Sequence, residues 1–212
     1  MQIFPRKLNL LPLVLGAGAF VAGGALTFLV GYYFSPHHLQ VGYAPEQPVP
    51  YSHRLHVREL GLDCRYCHAS VETSQEAMVP PTQTCMGCHS LVWTESARLE
   101  PVRASWESGD SIPWVRVHKL AEHAFFDHSV HLAVGVGCVS CHGAVDEMDV
   151  VRQEQPLSMG WCLDCHRDPG PSLRPPSEVT NMAWQPDEAW EAELDALAAT
   201  LNPPKHCSGC HR

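Results

Sequence analysis

One pentapeptide pattern, Cys-x-x-Cys-His, occurs five times and constrains the chain more than any other feature. The copies are Cys64-Arg-Tyr-Cys67-His68, Cys85-Met-Gly-Cys88-His89, Cys138-Val-Ser-Cys141-His142, Cys162-Leu-Asp-Cys165-His166 and Cys207-Ser-Gly-Cys210-His211. Together they use all 10 cysteines. The pattern is the attachment signature of c-type haem, in which two thiols form thioethers and the adjacent histidine reaches the iron. The spacings within the first and second pairs of motifs also fit a structural zinc site. Zinc leaves the Cys207/Cys210 pair stranded and gives no reason for a histidine after every second cysteine. A disulfide framework fails on the same histidines. The cofactors expected are therefore five haem c groups, with His68, His89, His142, His166 and His211 as proximal iron ligands.

This reading fits the composition. Proline (18) and glycine (15) are abundant in 212 residues, and long periodic segments are scarce. The core is expected to be largely porphyrin, wrapped by short helices and loops with little or no sheet. A formal charge of −9 argues against nucleic acid as a partner, because phosphate binding needs a basic face. An acidic surface suits a basic redox partner instead.

Along the chain, residues 1–34 read as an N-terminal tip and transmembrane anchor. The apolar run Leu10–Phe34 is 25 residues long, enough to span a bilayer with some tilt and longer than a typical cleaved signal. Arg6 and Lys7 place the N-terminus in the cytoplasm, so the remainder lies in the periplasm. Tyr32 and Tyr33 suit the interfacial aromatic belt. Gly18/Ala22 and Ala19/Gly23 would allow another helix to approach closely. Residues 35–50 read as a Pro-rich extended linker, with His37 and His38 solvated.

Residues 51–212 form the haem-binding domain, and an internal duplication runs through it. The first unit, about 51–89, has His53-x2-His56-x7 before its first motif; the second, about 125–166, has His128-x2-His131-x6. Equivalent positions are 74 to 77 residues apart, and the fifth motif at 207–211 closes the chain. Between the units, Ile112–His118 reads as a short extended segment. Pro186–Leu201 reads as a helix with Pro186 at its first position and Trp190, Leu194, Leu197 and Leu201 on one face. It is expected to pack over a haem or a neighbouring subunit.

Low-spin electron-transfer haems need a sixth ligand. His53, His56, His128 and His131 are the first choices for the distal positions, because their paired spacing recurs. For the fifth, His118 leads, Met159 is a possible competitor, and His123 and His206 are weaker candidates. A methionine ligand would raise the potential of its haem.

Paired histidines ahead of C-x-x-C-H resemble class III multihaem cytochromes. The resemblance is closer to one family. The N-terminal anchor, His53-Arg-Leu-His56, Leu60–His68, Pro80-Pro81-Thr82-Gln83-Thr84-Cys85-Met86, Ile112–His118 and Leu157-Ser158-Met159-Gly160-Trp161-Cys162 together resemble the pentahaem subunit of alternative complex III. That resemblance covers nearly the whole chain. It implies a non-catalytic electron-transfer subunit of a quinol:electron-acceptor oxidoreductase in the bacterial cytoplasmic membrane. Its partners would be other membrane subunits and a monohaem cytochrome c or terminal oxidase as acceptor. A membrane-anchored multihaem quinol dehydrogenase and a free-standing anchored carrier are the alternatives. The anchored tetrahaem dehydrogenases have four motifs and a methionine two residues after the first proximal histidine, where this chain has Ser70. A reductase with its own substrate would need an iron with an open position.

Overall fold

The computed structural model describes residues 5–35, 38 and 40–211; the extreme N-terminal tip and His37 lie outside them. Two compact units are present, Met1–Val41 and Gly42–Arg212.

The first unit is built on one helix, α1 (Leu11–Tyr33), preceded by a 3₁₀ turn at Arg6–Leu10. Within the helical stretch Arg6–Tyr33 an 18-residue window has mean hydropathy 2.1, and none of that window is buried within the protein. A helix apolar all round with no protein cover is suited to lipid.

The second unit is mostly helical, in short pieces. In order these are a π-helix at Arg54–Glu59, α2 (Cys64–Cys67), α3 (Thr82–His89), α4 (Glu100–Ser108), α5 (His128–Ala133), α6 (Cys138–His142), α7 (Met159–Arg167), α8 (Glu188–Thr200) and α9 (Cys207–Cys210). Among the described residues the only extended pairings are isolated bridges, Ala124 with His211 and Val136 with Leu173. The hydrophobic core is thin. Val71, Leu132 and Val179 form its cluster with Ala77 against them, and Val102, Met148, Leu173 and Trp190 are buried elsewhere.

Four of these helices start at a side-chain cap. Asp63, Asp127, Ser158 and Asp187 each accept a hydrogen bond from a backbone N–H of the following first turn. Asp187 therefore moves the start of α8 past Pro186, which precedes the cap instead of opening the helix. The expected apolar face is present: α8 packs Leu194 near Gly170, and Trp190 meets the Trp184 ring edge-on at 5.8 Å. Helix α4 lacks a sequence expectation; its markers are Pro101 at the start and Gly109 in the left-handed conformation at the end. Ile112–His118 has no regular structure. The side-chain amide of Gln47 replaces a strand partner there, donating to the Val115 carbonyl at 2.8 Å and accepting its N–H at 2.9 Å. Residues 42–50 lie along this unit, with Gly42 and Tyr43 paired to Gln153 and Val49 buried.

The duplication is visible in the backbone. Gly61 and Gly135 each stand three residues before a first cysteine, and both adopt positive φ (72° and 89°). Leu62 N–H donates to the carbonyl of His56, and Val136 N–H donates to that of His131. The first of these bonds encloses one more residue than the second. That residue is the difference between x7 and x6, and the π-helix absorbs it. The motifs also alternate in placement: Cys64 and Cys138 open their helices, whereas Cys85 and Cys162 occupy the fourth position of theirs.

Candidate haem sites

In each motif the chain makes a tight helical turn that brings both cysteines and the histidine to one locality. The thiols are free of disulfides. Burial pushes Cys141 up to about 12 and Cys64 up to about 11, so these are neutral thiols. Asp63, capping the first of the turns, is held down at about 2 by its hydrogen bonds with Arg65.

The histidines are prepared in a uniform way. Nδ1–H donates to a backbone carbonyl in His68 (Met78, 2.7 Å), His89 (Val92, 3.1 Å), His166 (Pro204, 2.8 Å) and His211 (His123, 3.2 Å). The same holds for His56 (Ser52, 2.8 Å), His128 (Gln75, 2.8 Å) and His131 (Asp127, 2.6 Å). A carbonyl only accepts, so the proton sits on Nδ1 and the Nε2 lone pair is left for a metal. Burial favours the neutral form in three of the histidines: it lowers His131, brings His53 to about 4 and, with His118 and His128 beside it, brings His142 to about 3. Neutral imidazole is the form that coordinates iron.

Ring separations test whether these histidines fit an iron between them. Metal–imidazole bonds run about 2 Å, so two rings on opposite sides of one metal have centroids about 6 Å apart. His56 and His89 are 6.3 Å apart, His128 and His142 6.4 Å, and His131 and His166 6.1 Å. His123 and His211 are 5.3 Å apart. His53 lies within electrostatic reach of His68, which helps depress it, and its Nδ1 is buried without a hydrogen-bond partner among the described residues. A buried nitrogen in that state is costly and is the kind a ligand relieves. The donor set fits haem.

His118 lies elsewhere than opposite a proximal ring. Its Nε2 is 3.3 Å from Nδ1 of His142, with centroids 4.4 Å apart and planes at 81°. Met159 opens α7 and is 65% exposed. His206 caps α9, its Nδ1 engaged by Ser208. His38 packs against Tyr32 and Tyr33 in the first unit.

Two positioning residues escaped the sequence reading. The Tyr51 ring meets His53 edge-on (4.9 Å) and stacks on His56 (4.4 Å); the Phe126 ring does the same to His128 (4.7 Å) and His131 (4.5 Å). Both stand two residues before the first histidine of their pair, so the repeat extends to aromatic-x-His-x2-His. That register was the available signal.

Residues 124–212 match the family model described as cytochrome c7 and related cytochrome c. The chain is also similar to the multihaem cytochrome c subunit of menaquinone reductase from Nitratidesulfovibrio vulgaris. Identity is 29% over 208 residues, covering 93% of this chain and 90% of the relative. With the C-x-x-C-H turns and their prepared histidines, these similarities point to a multihaem cytochrome c domain in the second unit.

Proposed function

We propose that the chain is the pentahaem electron-transfer subunit of a membrane-bound quinol-oxidising assembly of the alternative complex III kind. It would be anchored by α1 with the N-terminus in the cytoplasm and the haem domain in the periplasm. The observation that carries this reading is that each motif histidine has a second histidine near it that could share an iron: His53/His68, His56/His89, His128/His142, His131/His166 and His123/His211. When bound, haem supplies one-electron oxidation and reduction at iron. The chain's own residues would hold the group through the ten cysteine thiols and a pair of histidines for each iron, most of the imidazoles being fixed through Nδ1. No position is left for a substrate, so the role is relay and not catalysis. Arg6 and Lys7 support the orientation, and the apolar sheath of α1 supports retention in the bilayer. Electrons would leave to a monohaem cytochrome c or a terminal oxidase.

A second reading follows from the relative, whose complex is named a menaquinone reductase. The same subunit would then deliver electrons towards quinone. This chain's histidine pairs serve either direction; the companion subunits decide it. Mild detergent extraction followed by native separation, haem staining and quinol assays tests the proposal. A large haem-staining assembly that oxidises quinol is expected. An assembly that only reduces quinone would select the second reading, and haem migrating at the size of the single chain would overturn both.

A further inference from the structure

We infer that His118 is the hydrogen-bond partner of the iron-binding His142, and that it sets the reduction potential of this haem apart from the others. This rests on the reading that Cys138–His142 holds haem. The proximal histidines of the other motifs all donate Nδ1–H to a backbone carbonyl: Met78, Val92, Pro204 and His123. His142 alone among them meets a side chain, with Nε2 of His118 at 3.3 Å. The opposite side of the site is taken by His128, whose ring lies 6.4 Å from that of His142 with planes 10° apart. His118, at 4.4 Å and 81°, is too close and too steeply inclined to share an iron with it, and it touches the wrong nitrogen.

The contact has an electronic consequence. With Nε2 given to iron, His142 carries its proton on Nδ1 and donates it to the lone pair of His118. An imidazole nitrogen is a stronger base than a peptide carbonyl, so His142 gains more imidazolate character than its counterparts. Second-shell acceptors of this kind raise ligand basicity and tune redox potential. A more basic ligand favours the ferric state and lowers the potential. The surrounding chain holds His118 in place: its carbonyl accepts from Arg116 Nε at 3.1 Å, and Gln47 clamps Val115 three residues earlier.

The test is His118→Ala in the full haem-loaded protein, read by intact mass, spin-state spectroscopy and spectroelectrochemical titration. The expected result is an unchanged covalent haem number, every haem still low-spin, and one titration component moved upward. His118→Gln, which restores an acceptor carbonyl, should titrate between wild type and the alanine variant, and it carries the same comparison where alanine perturbs assembly. A new high-spin haem would make His118 an iron ligand and overturn the inference. Unmoved potentials would overturn it as well. A wild-type mass lacking the haem at Cys138–His142 would instead remove the underlying reading of that site.

Discussion

Histidine chemistry in this chain is decided by which ring nitrogen is already occupied. Nδ1 bonds select Nε2 as the metal donor, and ring separation then sorts the pairs. On that basis we propose that His123 completes the site of Cys207–His211, since His211 donates to its carbonyl and the rings are 5.3 Å apart. His123→Ala should leave the covalent haem number unchanged by mass and convert one haem to high-spin, visible as a charge-transfer band in the oxidised spectrum. Met159→Ala should leave every haem low-spin. A high-spin signal from Met159→Ala, with none from His123→Ala, would reverse the assignment. The proposed proximal histidines and two proposed distal pairs stand out in the sequence because motif and repeat mark them. His123 was a weak candidate because the repeat offers it no counterpart: the position 75 residues earlier is Pro48. His118 was drawn towards iron by its apolar neighbours, whereas in the structure it meets Nδ1 of the motif histidine His142, a contact that no spacing in the sequence marks.

Single helical turns need their boundaries specified, because a turn of four to six residues cannot stand on propensity alone. Asp63 and Asp127 do this at α2 and α5, each accepting an N–H two residues on. Replacing either by alanine should cost about 1 kcal/mol in thermal unfolding of the haem-loaded protein. The two equivalent glycines separate backbone strain from packing. A Cβ on Gly61 would meet nothing within 4 Å, whereas one on Gly135 would lie 2.2 Å from the carbonyl oxygen of Arg174. Alanine at Gly61 should therefore cost only the positive-φ penalty, about 1–2 kcal/mol. Alanine at Gly135 should cost clearly more, since the backbone of Arg174 must move. Equal melting shifts in the two variants would show that the close approach is relieved at little cost. The repeat itself could be read from spacing, but its one-residue mismatch could not be placed. Only the π-helix shows where the extra residue goes, since periodicity in a six-residue stretch does not distinguish a wider helical turn.

At the scale of the molecule, protein packing alone is thin for a chain of 212 residues. The buried cluster is Val71, Leu132 and Val179, and the large apolar side chains Leu60, Tyr66, Met78, Val79, Leu91, Val92 and Trp93 are exposed. Burial of apolar area is the main favourable term in folding, so a second unit with so little of it needs another source. Covalently attached haem would supply apolar surface at each motif, and ligation by the proposed histidine pairs would join segments far apart in sequence, such as 56 to 89 and 131 to 166. Binding that requires the folded state contributes its free energy to folding, as in other metal-dependent domains. Full-length protein made in a host that lacks the haem-attachment machinery should thus retain the helicity of α1 and little else. In detergent, far-ultraviolet circular dichroism should show a helical content near that of one membrane helix, without a cooperative thermal transition. The haem-loaded protein should show both greater helicity and a cooperative melt. A cooperative transition in the haem-free chain would mean that its short helices and capped turns hold together unaided, and that haem fills a fold already formed.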